Sequence, residues 1–275
     1  MTRIAIFQSR TGIDPAKNAQ ALVSAIREAA SGGAEMLFTP EMSGLLDRDS
    51  ARARQNVRSA DEDSALADCR EACRETGLWM HLGSVAVTAE EGKLANRGFV
   101  IGSDGEIRAT YDKIHLFDVD LPTGESWRES NVYRGGSNAV VVDGTPVGKL
   151  GLTICYDLRF PALFQSLTDG GAQVVSVPAA FTVPTGKAHW EILLRARAIE
   201  AGVFVVAAAQ CGHHEDGRET YGHSLLVDPW GKVLLDMGES TGVAFGEVDL
   251  AKVSDVRSRV PAIDHRRPIG SAATR

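Results

Sequence analysis

Short apolar runs of strand length alternate along the chain with longer stretches whose apolar positions recur every three or four residues. That alternation predicts an α/β protein. A first strand is expected over residues 4–7. Asp14-Pro15 then supplies a cap and a first-turn proline, and Leu22, Val23 and Ile26 mark one face of a helix ending near Gly32-Gly33. Met36-Leu37-Phe38-Thr39 reads as a second strand, stopped by Pro40. A charged helix over 61–76 leads into a strand over 79–87, and strands over 96–101 and 106–111 flank the hairpin turn Ser103-Asp104-Gly105. Residues 113–137 show no period, and a loop that long inside a compact domain is usually functional.

The second half repeats this style. A strand runs to Ile154 and leaves Cys155 at its end, and Pro161 opens a helix. A buried strand is expected over 174–178. The helix expected over 187–201 carries Trp190, Leu193, Leu194, Ala198 and Ile199. Further strands are expected near 203–209, 223–227, 233–235 and 243–247, with Asp228-Pro229-Trp230-Gly231 as a turn. No repeat, low-complexity tract or linker divides the chain. One domain over 1–275 is expected, with an extended tail from about 262.

Composition narrows the functions. With 275 residues, 44% of them hydrophobic, the chain can bury a sizeable core. A net charge of −7 and the lack of a basic stripe exclude nucleic acid and anionic membranes as expected partners. Apolar runs such as 203–209 are too short to span a bilayer. The chain moves straight into a strand, so no signal peptide is expected and the protein reads as cytoplasmic. Cys69, Cys73, Cys155 and Cys211 form neither a zinc pattern nor a disulfide framework, and Cys69 and Cys73, one helical turn apart, are expected to pack.

Three residues fall at three strand ends: Glu41, Lys113 and Cys155. Taken singly, a buried thiol and two solvated charges explain them. Together they suit one chemistry. A thiol needs a base to become the attacking thiolate, a carboxylate can be that base, and an ammonium can stabilise the oxyanion formed when sulfur adds to an amide carbonyl.

The stretches Thr39-Pro40-Glu41, Asp112-Lys113-Ile114-His115-Leu116 and Ile154-Cys155-Tyr156-Asp157-Leu158-Arg159-Phe160-Pro161 resemble the nitrilase superfamily of carbon–nitrogen hydrolases. The resemblance runs from Ile4 to Pro268, with the motifs in the expected order. Thr185-Gly186-Lys187-Ala188-His189-Trp190-Glu191, the stretch 193–200, and Tyr221-Gly222-His223-Ser224 with Asp228-Pro229-Trp230-Gly231 look like its amidase branch. Members of that branch act on deaminated glutathione or on ω-amides of 2-oxo acids. Ala208-Ala209-Gln210-Cys211-Gly212-His213-His214 is closer to the deaminated glutathione amidases.

The resemblance implies a four-layer α-β-β-α sandwich, usually paired through helices into a homodimer or higher homo-oligomer. It implies that Glu41 takes the proton of Cys155 and later protonates the leaving amine, while Lys113 and the backbone N–H of Tyr156 hold the oxyanion. Glu129 would match the family's second glutamate, and Glu125 in the same loop competes for that place. No metal or cofactor is needed. His81, His189 and His223 are expected to be structural.

Arg159 is the natural partner for the carboxylate of a 2-oxo-acid substrate, because a guanidinium binds a planar anion as a fork. A structural ion pair with Asp157 is its other reading. Phe181 and Thr185 line the acyl pocket by resemblance, and core packing also accounts for Phe181. The leading expectation is hydrolysis of deaminated glutathione to 2-oxoglutarate and cysteinylglycine through a thioester on Cys155. The alternative is an ω-amidase acting on 2-oxoglutaramate or 2-oxosuccinamate. An inactive binding protein on the same fold is disfavoured by the joint presence of Glu41, Lys113 and Cys155.

Overall fold

Ile4 and Ile6 face one side of the strand Thr2–Gln8 (β1) and Ala5 faces the other, and this period of two sorts the first half of the molecule into layers. A computed structural model describes residues 1–120, 124 and 126–272. After β1 come α1 (Pro15–Ser31), β2 (Met36–Phe38), α2 (Ser50–Asn56), α3 (Ser64–Thr76), β3 (Trp79–Thr88), β4 (Leu94–Ile101) and β5 (Ile107–Asp112). A small hairpin, β6 (Asp118–Asp120) with β7 (Ser126–Arg128), precedes β8 (Val140–Thr145), β9 (Gly148–Leu152), α4 (Pro161–Asp169), β10 (Val174–Ser176), α5 (Val183–Ala201) and β11 (Phe204–Ala207). A second small hairpin, β12 (Cys211–His213) with β13 (Glu219–Tyr221), leads to β14 (Leu225–Val227), β15 (Val233–Asp236), β16 (Gly242–Val248) and α6 (Leu250–Arg259).

Two sheets form the centre. The first is ordered β16-β1-β2-β3-β4-β5 and the second β15-β14-β11-β10-β9-β8. Each has three parallel strands in the middle, β1-β2-β3 and β9-β10-β11, flanked by antiparallel partners. The layout repeats where the sequence does not. Ala5, Leu37, Met80 and Leu82 pack outward against Leu22 and Ile26 of α1 and Leu66 and Cys69 of α3. Ile4, Ile6, Met36 and Phe38 point inward and join Leu150, Leu152, Val174 and Val206 in one core, which extends to Trp190 and Leu194 of α5. Each such large aliphatic side chain contributes about 1.5–3 kcal/mol on full burial. The result is the four-layer α-β-β-α sandwich.

Several boundaries differ from the sequence reading. α5 begins at Val183, with Thr182 before it and Pro184 in its first turn, so Thr185-Gly186 is helical. Gly186 is required there, because a Cβ would lie 2.2 Å from the Tyr221 ring. Of the apolar residues named above for this helix, Ile199 is exposed, as is Ile192. The stretch 113–137 holds β6, β7 and a 3-10 turn at Glu129–Asn131. The tail is not extended from 262. Residues 262–265 form a turn, and Arg266 then reaches back to Asp169 and Thr168. Among the described residues no helix is long and apolar enough to cross a membrane.

Candidate active site

The ends of β2, β5, β9 and β10 converge on one cavity. β9 stops at Leu152, earlier than the apolar run predicts, and Cys155 opens a 3-10 turn spanning Cys155–Arg159. Its φ of 52° lies in the left-handed region, which a side chain with a Cβ adopts only when its surroundings enforce it. The enforcement is visible. The Cys155 N–H donates to Pro178 O at 2.8 Å beyond β10, and Asp157 N–H donates to Ile154 O at 3.1 Å. The intervening N–H of Tyr156 has no acceptor among the described residues.

Asp157 locks this turn. Its side chain is fully buried and draws four groups to two oxygens. Oδ2 accepts from Tyr111 Oη at 2.7 Å and Ile154 N at 2.9 Å. Oδ1 accepts from His115 N at 3.0 Å and pairs with His115 Nδ1 at 2.7 Å. The segment after β5 is thereby tied to the thiol's turn. Asp157 has no room for Arg159, so the ion pair considered from sequence is absent.

Glu41, Lys113 and Glu129 form a buried row. Lys113 Nζ donates to Glu41 Oε1 at 2.9 Å and to Glu129 at 2.9 and 3.1 Å. Glu129 also accepts from Phe117 N at 2.7 Å, and Glu41 Oε2 accepts from Ala180 N at 2.9 Å. Glu125, the competing glutamate, lies outside the described residues. Gly83 permits the close approach beneath this row, because a Cβ there would lie 2.1 Å from Thr39 O and 2.5 Å from Pro40 O.

Asn96 completes the row, and nothing in the sequence singled it out. Its Nδ2 donates to Glu41 Oε1 at 2.9 Å and Glu129 Oε1 at 3.3 Å, while its buried Oδ1 has no partner among the described residues. Turning the amide over would set that oxygen against two carboxylates. The orphaned acceptor is the lesser cost.

The electrostatics follow from one ammonium shared by two carboxylates. Burial would raise the proton affinity of Glu41, but the Lys113 charge, with hydrogen bonds from Lys113, Cys155 and Asn96, overrides it and holds the carboxyl below its ordinary value. Burial would lower Lys113, and the charges of Glu129 and Glu41 hold its ammonium well above the usual range. Burial and then the Glu41 charge push the Cys155 thiol up, against the pull of Lys113. The resting arrangement is therefore carboxylate, ammonium and thiol, with the thiol proton beside an ionised acceptor.

These groups line a cavity of about 320 Å³ that also exposes Tyr156, Arg159, Phe181 and Thr185. The Arg159 guanidinium sits 5.6 Å from the Phe181 ring centroid and 5.9 Å from that of Tyr156, and it reaches His189 Nδ1 at 3.3 Å. No carboxylate among the described residues lies within 4.0 Å of it. Phe181 packs on Trp190 with centroids 4.7 Å apart and also lines the cavity. The Thr185 hydroxyl bonds Thr182 Oγ1 at 2.8 Å.

The remaining histidines and cysteines lie elsewhere in the fold. His81 bonds Ser176 Oγ at 2.7 Å, and burial depresses its proton affinity to about 3. His223 bonds Asp236 at 3.0 Å. Cys69 and Cys73 are buried in α3, and Cys211 donates to Glu239 O at 3.1 Å. Sequence reading also missed Arg48 and Arg218, in loops, and Trp127, in the short strand β7, all of which line the cavity.

Comparison with known proteins fits this geometry. The chain is 38% identical over 275 residues to the deaminated glutathione amidase of Yersinia enterocolitica, covering 99% of this chain and 95% of that one. The crystal structure of the Caenorhabditis elegans nitrilase and fragile histidine triad fusion protein NitFhit superposes with a TM-score of 0.88 at 40% identity, over 97% of this chain and 65% of the fusion. Nit3 of Saccharomyces cerevisiae, a member of branch 10 of the nitrilase superfamily, superposes at 0.86 with 26% identity, over 97% of this chain and 96% of its own. Residues 3–258 match the description of the carbon–nitrogen hydrolases. With that match over most of its length, the chain belongs to the carbon–nitrogen hydrolase family.

Proposed function

We propose that the enzyme hydrolyses the amide joining a 2-oxoglutaryl group to cysteinylglycine in deaminated glutathione, through a thioester on Cys155. As the substrate carbonyl arrives, Glu41 takes the thiol proton and sulfur adds to the carbonyl carbon. The oxyanion is held by the Lys113 ammonium and the unpaired N–H of Tyr156. Glu41 returns its proton to the departing nitrogen, the C–N bond breaks, and the thioester remains. Glu41 then deprotonates a water that attacks the thioester. 2-Oxoglutarate leaves and the thiolate recovers its proton. Glu129 and Asn96 hold Lys113 and Glu41 in register throughout.

The observation that carries this reading is Arg159, a guanidinium facing the cavity between two aromatic rings with no carboxylate partner in the described residues. It suits the carboxylate of a 2-oxo acid, and relatives with a comparable chain are named deaminated glutathione amidases. 2-Oxoglutaramate shares the acyl half, so an ω-amidase is the second reading. Side-by-side kcat/KM on deaminated glutathione, 2-oxoglutaramate and a simple nitrile tests it, with the first expected to be highest. Preference for the nitrile would overturn it.

Pairing of two subunits belongs to the same reading. α5 leaves Ile192 and Ile199 exposed near the exposed Trp230. Light scattering at micromolar concentration is expected to give twice the chain mass of 29.4 kDa, and a monomer mass would count against pairing.

A further inference from the structure

We propose that Arg48 and Arg218, both set over the Trp127 indole, form a subsite for a leaving group that ends in a carboxylate. The enzyme would thereby favour amides whose nitrogen belongs to a short peptide acid over primary amides. This inference rests on the amidase reading above and concerns the half of the substrate that Arg159 does not address.

Both guanidiniums lie over one ring, at 5.4 Å and 5.2 Å from its centroid. Arg218 is compensated by Asp216 at 2.7 Å, a carboxylate that also accepts from the Arg48 backbone N–H at 2.8 Å. The neighbouring Asp47 is taken by Arg52 at 2.6 Å. Of the two cations at this ring, Arg218 has a carboxylate partner, while the exposed Arg48 has none within 4.0 Å among the described residues. A cation–π contact at an exposed position contributes only about 0.5–1 kcal/mol, too little to account for bringing both there. A carboxylate would supply the partner that Arg48 lacks, with a fork to bind it.

The position suits a leaving group. Trp127 precedes Glu129 by two residues, and Glu129 holds Lys113. The Phe117 ring joins Trp127 to Tyr156, the residue after Cys155, with centroids 6.4 and 5.2 Å apart. Arg159 stands at the Tyr156 end of this row and Arg48 at the Trp127 end. A dipeptide leaving group measured from the scissile nitrogen to its carboxylate spans about 7 Å, two residues of extended chain. Ammonia, the leaving group of a primary amide, would leave this end empty.

The test compares kcat/KM for deaminated glutathione with that for the same molecule capped as its C-terminal amide, in the parent enzyme and in Arg48→Gln. The parent is expected to prefer the free acid by about tenfold, the low end for a charge-assisted hydrogen bond, and Arg48→Gln to reduce the preference to about twofold or less. No preference in the parent, or an equal preference in both proteins, overturns the subsite. A second readout is independent of the acyl group: calorimetric binding of cysteinylglycine and cysteinylglycinamide to Cys155→Ala, with and without Arg48→Gln. A preference for the acid that Arg48→Gln removes upholds the subsite even if no oxoglutaryl amide is hydrolysed, in which case the proposed function falls alone. Turnover of both oxoglutaryl amides with no carboxylate preference in either assay leaves the proposed function standing and removes the subsite.

Discussion

Asp157→Asn keeps the size of the side chain and exchanges one acceptor oxygen for an NH2 group. With its carbonyl toward His115, the new amide sets two hydrogens against the Ile154 N–H. The Tyr111 hydroxyl can rotate to accept, but a backbone N–H cannot. With the carbonyl toward Tyr111, the NH2 meets the His115 N–H instead. Either way one buried donor is orphaned, at about 1–3 kcal/mol. The other bonds lose their charge, and charge-assisted bonds are about twice as strong as neutral ones. The expected loss is about 3–5 kcal/mol, the range for breaking a buried charged cluster. For a chain of this size that lowers Tm by about 5–9 °C. Because Ile154 directly precedes Cys155, the thiol shifts as well, and misplacement on the order of 1 Å can cost about a hundredfold in rate. Scanning calorimetry and steady-state kinetics at 25 °C on the folded variant read both effects. A Tm within about 2 °C of the parent and a kcat within about twofold would refute the assignment of Asp157 as the lock of this turn.

Cys155→Ala is expected to abolish turnover with an unchanged melting curve, and a variant keeping a tenth of parent activity would sink the thioester. Lys113→Met should lower kcat by about 10²–10³, the usual loss for an oxyanion donor. Glu41 is held below its ordinary value of 4.5, so its contribution is complete above that pH and is lost as pH falls through the depressed folded value. The acid limb of kcat/KM should therefore lie below pH 4.5, and a limb near pH 6–7 would assign the base to a histidine. Arg159→Lys keeps the charge and loses the fork, so kcat/KM for oxoglutaryl amides should fall roughly ten- to a hundredfold while a small neutral amide is spared. Equal losses on both would make Arg159 a support of the turn.

Where residue type and period coincide, the sequence was readable. Short apolar runs located β1, β3, β4 and the central strands of the second sheet, and proline or glycine punctuation located both ends of α1 and the start of α4. Glu41, Lys113 and Cys155 were legible because each lies at or just past the end of an expected strand. Asn96 was not, since a polar residue within a strand declares nothing until its neighbours across the sheets are known. Arg48 and Arg218 sit in loops and Trp127 in a three-residue strand, and only the folded chain brings the three together. The second glutamate lay between these cases: its loop was recognisable, but only the folded chain brings Glu129 to Lys113.

Because Glu41 and Lys113 leave the first sheet while Cys155 leaves the second, neither half of the chain carries a complete reaction centre. During synthesis the carboxylate and the ammonium emerge first, and Cys155 follows 42 residues after Lys113. When the thiol follows, it stands apart from that carboxylate and ammonium until the two sheets close. Hydrolytic capacity thus arises in the same step as tertiary structure. A chain that has not yet closed its two sheets does not hold the three groups together.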